Sequence, residues 1–89
     1  MTSHTTAGFR AALAKLPRPI QARARVAYRH FISDPSHNSL QFKKVHTSQA
    51  VYSARVTDDY RALAVVEGDD VVWFWIGKHA DYERLLKSL

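Results

Sequence analysis

Val71-Val72-Trp73-Phe74-Trp75-Ile76, continuing as Gly77-Lys78-His79-Ala80-Asp81-Tyr82-Glu83-Arg84-Leu85-Leu86, is the stretch whose reading decides the fold. Its first six residues are all β-branched or aromatic. A run so short and apolar reads as a strand buried on both faces, or nearly so. Gly77 reads as its end. His79 to Leu89 then reads as a helix anchored by Leu85 and Leu86. Between the two stand Lys78, His79, Asp81 and Tyr82. Polar groups at the end of a buried strand are held firmly and still meet solvent, which suits a site.

Upstream, Val51 to Val56 alternates, with Tyr52, Ala54 and Val56 on one face and Val51, Ser53 and Arg55 on the other. Tyr60 to Glu67 is a further strand. Asp58-Asp59 and Gly68-Asp69-Asp70 are the tight connections. Leu40 to Val45, carrying Lys43 and Lys44, reads as a first strand after the polar loop Ser36 to Ser39. The N-terminal third is helical. Phe9, Leu13 and Leu16 recur at helical spacing, and the helix Gly8–Lys15 is stopped by Pro17. Pro19 opens the next helix, because its missing N–H and fixed φ suit the first turn. Ile20, Ala24, Ala27, Tyr28 and Phe31 form its apolar stripe. Asp34-Pro35 ends it. Residues 1–7 read either as a frayed end or as a short edge strand. Short connections demand antiparallel neighbours. The order predicts one α+β domain over residues 1–89. An N-terminal helical hairpin packs on a twisted antiparallel sheet of three to five strands, and a short C-terminal helix follows.

Composition narrows the function. Thirteen Lys and Arg stand against eight Asp and Glu, a net charge of +5. Residues 1–50 hold eight basic residues and one acid, Asp34, whereas residues 51–89 hold five basic and seven acidic. One basic half points to a polyanionic partner, nucleic acid before membrane. Arg18, Arg25 and Arg29 share one face of the second helix, a solvated side or a binding surface. There is no cysteine, no apolar run long enough to span a bilayer, and no apolar signal core in Met1–Gly8. A soluble, cytoplasmic protein without membrane contact is expected. The five histidines have no paired spacing, so no metal site is expected. Glycine-rich phosphate loops and the Gly-x-Ser-x-Gly elbow are missing from the sequence, and no cofactor is expected.

What remains is a basic and aromatic set: Arg55, Arg61, His79 and Tyr82. Such a group suits phosphodiester chemistry. Arginines stabilise charge on phosphorus oxygens, a histidine takes or gives a proton near neutral pH, and a tyrosine stacks on an exposed base. In RNA the 2′-hydroxyl supplies the nucleophile, so no metal is required. Each residue also has a plainer reading. Arg61 beside Asp58 and Asp59 makes a turn salt bridge, His79 caps the helix, and Tyr82 pads the core. Trp73 and Trp75, alternating with Phe74, read as core and sheet-face packing.

Four segments carry a resemblance to a known family. They are Leu-Pro-Arg-Pro-Ile-Gln at 16–21, Asp-Pro-Ser-His-Asn-Ser-Leu-Gln-Phe-Lys-Lys-Val at 34–45, and Tyr-Ser-Ala-Arg-Val-Thr-Asp-Asp-Tyr-Arg-Ala-Leu at 52–63 with Trp-Phe-Trp-Ile-Gly-Lys-His-Ala-Asp-Tyr at 73–82. From about Phe9 to Leu86 the chain resembles toxins of the RelE/ParE superfamily of bacterial type II toxin–antitoxin pairs. The resemblance implies a RelE/ParE-like fold and a toxin neutralised by a cognate antitoxin protein, with operator DNA contacted only through that antitoxin. RelE-like members cut mRNA in the ribosome without metal, as mRNA interferases that inhibit translation. ParE-like members poison DNA gyrase. A catalytically inactive, antitoxin-binding relative is the third reading. Arg61 matches the arginine after the strand-leading tyrosine of RelE-like enzymes. Arg55 and His79 match their basic positions on the preceding strand and after the last strand, and Tyr82 lies near their C-terminal tyrosine. Ser53 departs from the pattern, standing where RelE has a lysine. On this resemblance the catalytic set is Arg55, Arg61, His79 and Tyr82, and Lys43, Lys44 and Lys78 contact RNA.

Overall fold

The computed structural model describes residues 1–89. The elements are β1 (Thr2–Thr5), α1 (Ala7–Ala14), α2 (Arg18–Ser33), a short 3-10 turn (Asn38–Leu40), β2 (Lys43–Lys44), β3 (Val51–Thr57), β4 (Tyr60–Glu67), β5 (Asp70–Lys78) and α3 (His79–Ser88). Local chemistry sets the helix ends. The Thr6 hydroxyl accepts the Phe9 N–H at 3.0 Å and caps α1. Pro19 lies in the first turn of α2, and Asp34 takes up an extended backbone at its end.

The strands form one sheet in the order β1-β5-β4-β3-β2. β2 to β5 pair antiparallel through short turns, as the sequence predicts. β1 departs from the expected all-antiparallel sheet: it is an edge strand parallel to β5, in the register Thr2–Asp70 to Thr5–Trp73. The short-connection rule governs consecutive strands only, and β1 reaches β5 through both helices and three strands. No helix is long and apolar enough to cross a membrane.

The core lies between the helical hairpin and one sheet face, where Phe9, Ala24, Phe31 and Leu40 meet Ala54, Ala62, Ala64, Val71, Trp73 and Ile76. Phe31 meets Trp73 and Phe42 edge-on, with ring centroids 5.1 and 5.0 Å away. The Trp73 indole N–H donates to Ser3 Oγ at 3.1 Å, and Ser3 Oγ is 2.8 Å from the Tyr28 hydroxyl. Those two bonds tie β5, β1 and α2 together.

Two further differences, and one detail of register, have physical causes. The strand expected over Leu40–Val45 shrinks to Lys43–Lys44, because Leu40 closes the 3-10 turn and is buried, and Gln41 takes a left-handed φ of 47°. Gly77 does not end the last strand; it lies inside β5, paired with Arg61. The two tryptophans do not share a face. The register of β5 on β4 slips between Leu63 and Ala64, leaving Phe74 without a partner, so Trp73 pairs with Ala64 and Trp75 with Leu63. The extra residue turns Trp73 into the core and Trp75 to the opposite face.

Candidate functional site

The face of the sheet away from the helical hairpin carries the candidate site. Directly paired residues of antiparallel strands project to the same side, so the register defines two adjacent rows. One is Lys43, Ser53, Leu63 and Trp75; the other is Arg55, Arg61 and Gly77. Arg55 and Arg61 thus stand opposite one another, both half-buried. The Arg55 guanidinium pairs with Asp58. Arg61 Nη1 donates to the carbonyls of Thr57 at 2.6 Å and Tyr60 at 3.2 Å. The expected turn salt bridge therefore exists on Arg55, and Arg61 braces the turn through its backbone.

That turn also fixes the start of α3, where the His79 backbone N–H donates to the Asp59 carbonyl at 2.7 Å. His79 and Tyr82 have ring centroids 5.4 Å apart at 55°, and His79 Nδ1 lies 3.3 Å from Glu83 Oε1. The structure arranges the four residues as two separate pairs, Arg55 with Arg61 and His79 with Tyr82, and ties both arginines and His79 to the Thr57–Tyr60 turn; His79 also borders a hollow with Asp59, Tyr60 and Lys78. Glu83 was missed in the sequence, although it stands at the i, i+4 spacing that brings helical side chains together. Lys43 shares the arginine face. Lys44 and Lys78 pair with Tyr52 and Tyr60, which places them on the other side of the sheet.

A second feature lies on the helical side. An open, mostly apolar cavity of about 350 Å³ runs between α1, α2 and the sheet, and is lined by Phe9, Leu13 and Phe31 together with Arg10, Arg25, Arg29 and Arg55. None of the arginines of α2 makes an ion pair. The arginine stripe was legible at helical spacing; the apolar hollow beside it was not.

A small helical hairpin on one face of a five-stranded sheet, followed by a C-terminal helix against β4 and β5, is the architecture that the solved RelE structures share with this chain. The ParE-like toxin domain model matches residues 18–84, and the chain belongs to that family. Among solved structures, the RelB-RelE antitoxin-toxin complex from Methanococcus jannaschii aligns with a TM-score of 0.73 at 18% identity, covering 91% of this chain and 95% of that one. The toxin-antitoxin complex RelBE2 from Mycobacterium tuberculosis gives 0.69 at 23% identity, covering 88% and 96%. YafQ from E. coli gives 0.72 at 10% identity, covering 90% and 94%. At these identities the structural likeness establishes the fold. No curated protein matches the chain by sequence.

Proposed function

We propose that the protein is the toxin of a toxin–antitoxin pair and acts as a ribosome-dependent mRNA endoribonuclease without a metal cofactor. The carrying observation is the Arg55–Arg61 pair. Like charges directly opposite on neighbouring strands repel, and only Arg55 has an acidic partner. An incoming phosphate relieves that repulsion and gains charge-assisted hydrogen bonds. The RNA 2′-oxygen attacks phosphorus and the bond to the 5′-oxygen breaks. His79 acts as the acid or base in the transfer of the proton from the 2′-hydroxyl to the leaving oxygen. Arg55 and Arg61 stabilise the charge on the phosphorus oxygens, and Tyr82 stacks or orients His79. Lys43 contacts the RNA on the same face, and Lys44 and Lys78 contact RNA or ribosome at its margins. The RelE and YafQ neighbours support this reading.

The partner is a cognate antitoxin protein, and operator DNA is met only through it. The cavity beside Arg10, Arg25 and Arg29 suits an apolar anchor on an acidic antitoxin segment. The match to a ParE-like model favours a second reading, inhibition of DNA gyrase.

Inducible expression without the antitoxin, following growth and the 5′ ends of cellular mRNA, separates these readings. Codon-phased cuts are expected from the wild type and are lost in Arg61→Ala and His79→Ala. Growth arrest with intact mRNA and indifference to His79→Ala overturns the nuclease in favour of gyrase. Normal growth with soluble protein leaves an inert antitoxin-binding relative.

A further inference from the structure

We infer that Trp75 is a nucleobase platform on the arginine face, a subsite for one unstacked base of single-stranded RNA. This rests on reading that face as an RNA site. The bulge at Phe74 is the first support. It separates two tryptophans that simple alternation would bury together, and sends Trp75 to the row beside Arg55, Arg61 and Gly77. The second is the direction of the ring. A Cβ on Gly77 would lie 2.7 Å from Trp75 Cζ2 and 2.9 Å from Cη2, so the indole lies over Gly77, the residue paired with Arg61. The third is what the ring lacks. Trp73 is 3% exposed, its N–H donates to Ser3 Oγ, and Phe31 and Phe42 pack on it. Trp75 is half-buried, has no aromatic neighbour and makes no hydrogen bond through its N–H. No buried side-chain N or O is without a partner, so this N–H reaches solvent.

A flat apolar ring with a free N–H, beside two cations, complements a base next to its phosphate. The ring stacks on any base, and the indole N–H meets a carbonyl or ring-nitrogen acceptor on the base edge. Gly77 is then part of the subsite, because any side chain there would lift the ring away from Arg61. A purely structural Trp75 would serve only to cover Leu63, its strand partner.

The test uses intact protein, a short single-stranded RNA and the same strand made abasic, with tryptophan emission as the readout. Subtracting Trp75→Phe, which retains Trp73, isolates the Trp75 signal. RNA is expected to quench Trp75, and the abasic strand is not. Affinity for RNA should fall about 10-fold in Trp75→Leu and far less in Trp75→Phe, which retains an aromatic face. Gly77→Ala should weaken quenching while leaving the Trp73 signal unchanged. Absence of quenching, equal quenching by the abasic strand, or unchanged affinity in Trp75→Leu overturns the platform. Codon-phased cleavage together with a silent Trp75 leaves the nuclease standing and removes this subsite. Quenching by RNA with cellular mRNA left intact does the reverse.

Discussion

Single side chains decide how well the two sheet faces are sealed. Leu63 is 0% exposed on the arginine face. Leu63→Ala should cost about 2–5 kcal/mol through lost burial and a residual cavity, measured by denaturant unfolding. Gly77→Ala drives a methyl group into the Trp75 ring, and should cost about 1–3 kcal/mol by overpacking unless the ring swings out. Asp34 offers a pH test. Hydrogen bonds from the Ser36 hydroxyl and the Ser36 N–H, helped by the nearby His37, hold its carboxyl below the usual carboxylate range. A depressed value in the folded state means the stabilisation is present above about pH 4 and is lost as pH falls through the lowered value. The difference in thermal midpoint between wild type and Asp34→Ala should therefore be seen at pH 7 and vanish in strong acid. A difference that persisted in acid would assign Asp34 a role independent of its charge.

The elements are joined by few polar ties, so the Trp73–Ser3–Tyr28 relay makes a clean test of the β1 edge. Ser3→Ala leaves the half-buried Tyr28 hydroxyl and the Trp73 N–H without this partner. It should cost about 1–3 kcal/mol, with exchange protection lost first along β1. Unchanged protection of Thr2–Thr5 would show that the backbone ladder alone holds the strand. The same elements show what could be read beforehand. The helices, their proline boundaries and the β3–β4–β5 meander follow from periodicity and turn residues, which are local signals. The bulge at Phe74 adds one residue without altering composition, so spacing alone does not show that Trp73 and Trp75 take opposite faces. Leu40 reads as the start of a strand because a single apolar residue suits either backbone, and the turn residues Asn38 and Ser39 precede the stretch so read. Arg55, Arg61, His79 and Tyr82 stand out in the sequence by chemistry alone; the strand register sets the two arginines opposite one another, and one helical turn sets His79 beside Tyr82. Which arginine Asp58 pairs with, and the hollow beside α2, depend on side-chain placement that spacing does not carry.

Across the whole molecule, charge is divided between a basic N-terminal half and a slightly acidic remainder. The unpaired Arg25 and Arg29 of α2 line the cavity on the helical side, which Arg55 also borders, and the register sets Arg55 opposite Arg61 on the sheet. Binding of a polyanion should weaken steeply with salt, and reversing Arg25 and Arg29 to Glu should flatten that slope if the helical side takes part. An unchanged slope, measured by titrating RNA at several ionic strengths, would confine the contact to the arginine face. The parallel pairing of β1 with β5 also has a consequence for how the chain is made. Thr2 finds its register partner 68 positions later, at Asp70. At a synthesis rate of about 5–20 residues per second, the first strand waits roughly 3–14 s for its neighbour to be made. Native contacts so distant in sequence form late and slowly. The N-terminal strand therefore works as a completion check, docking only after the last strand of the sheet has been synthesised.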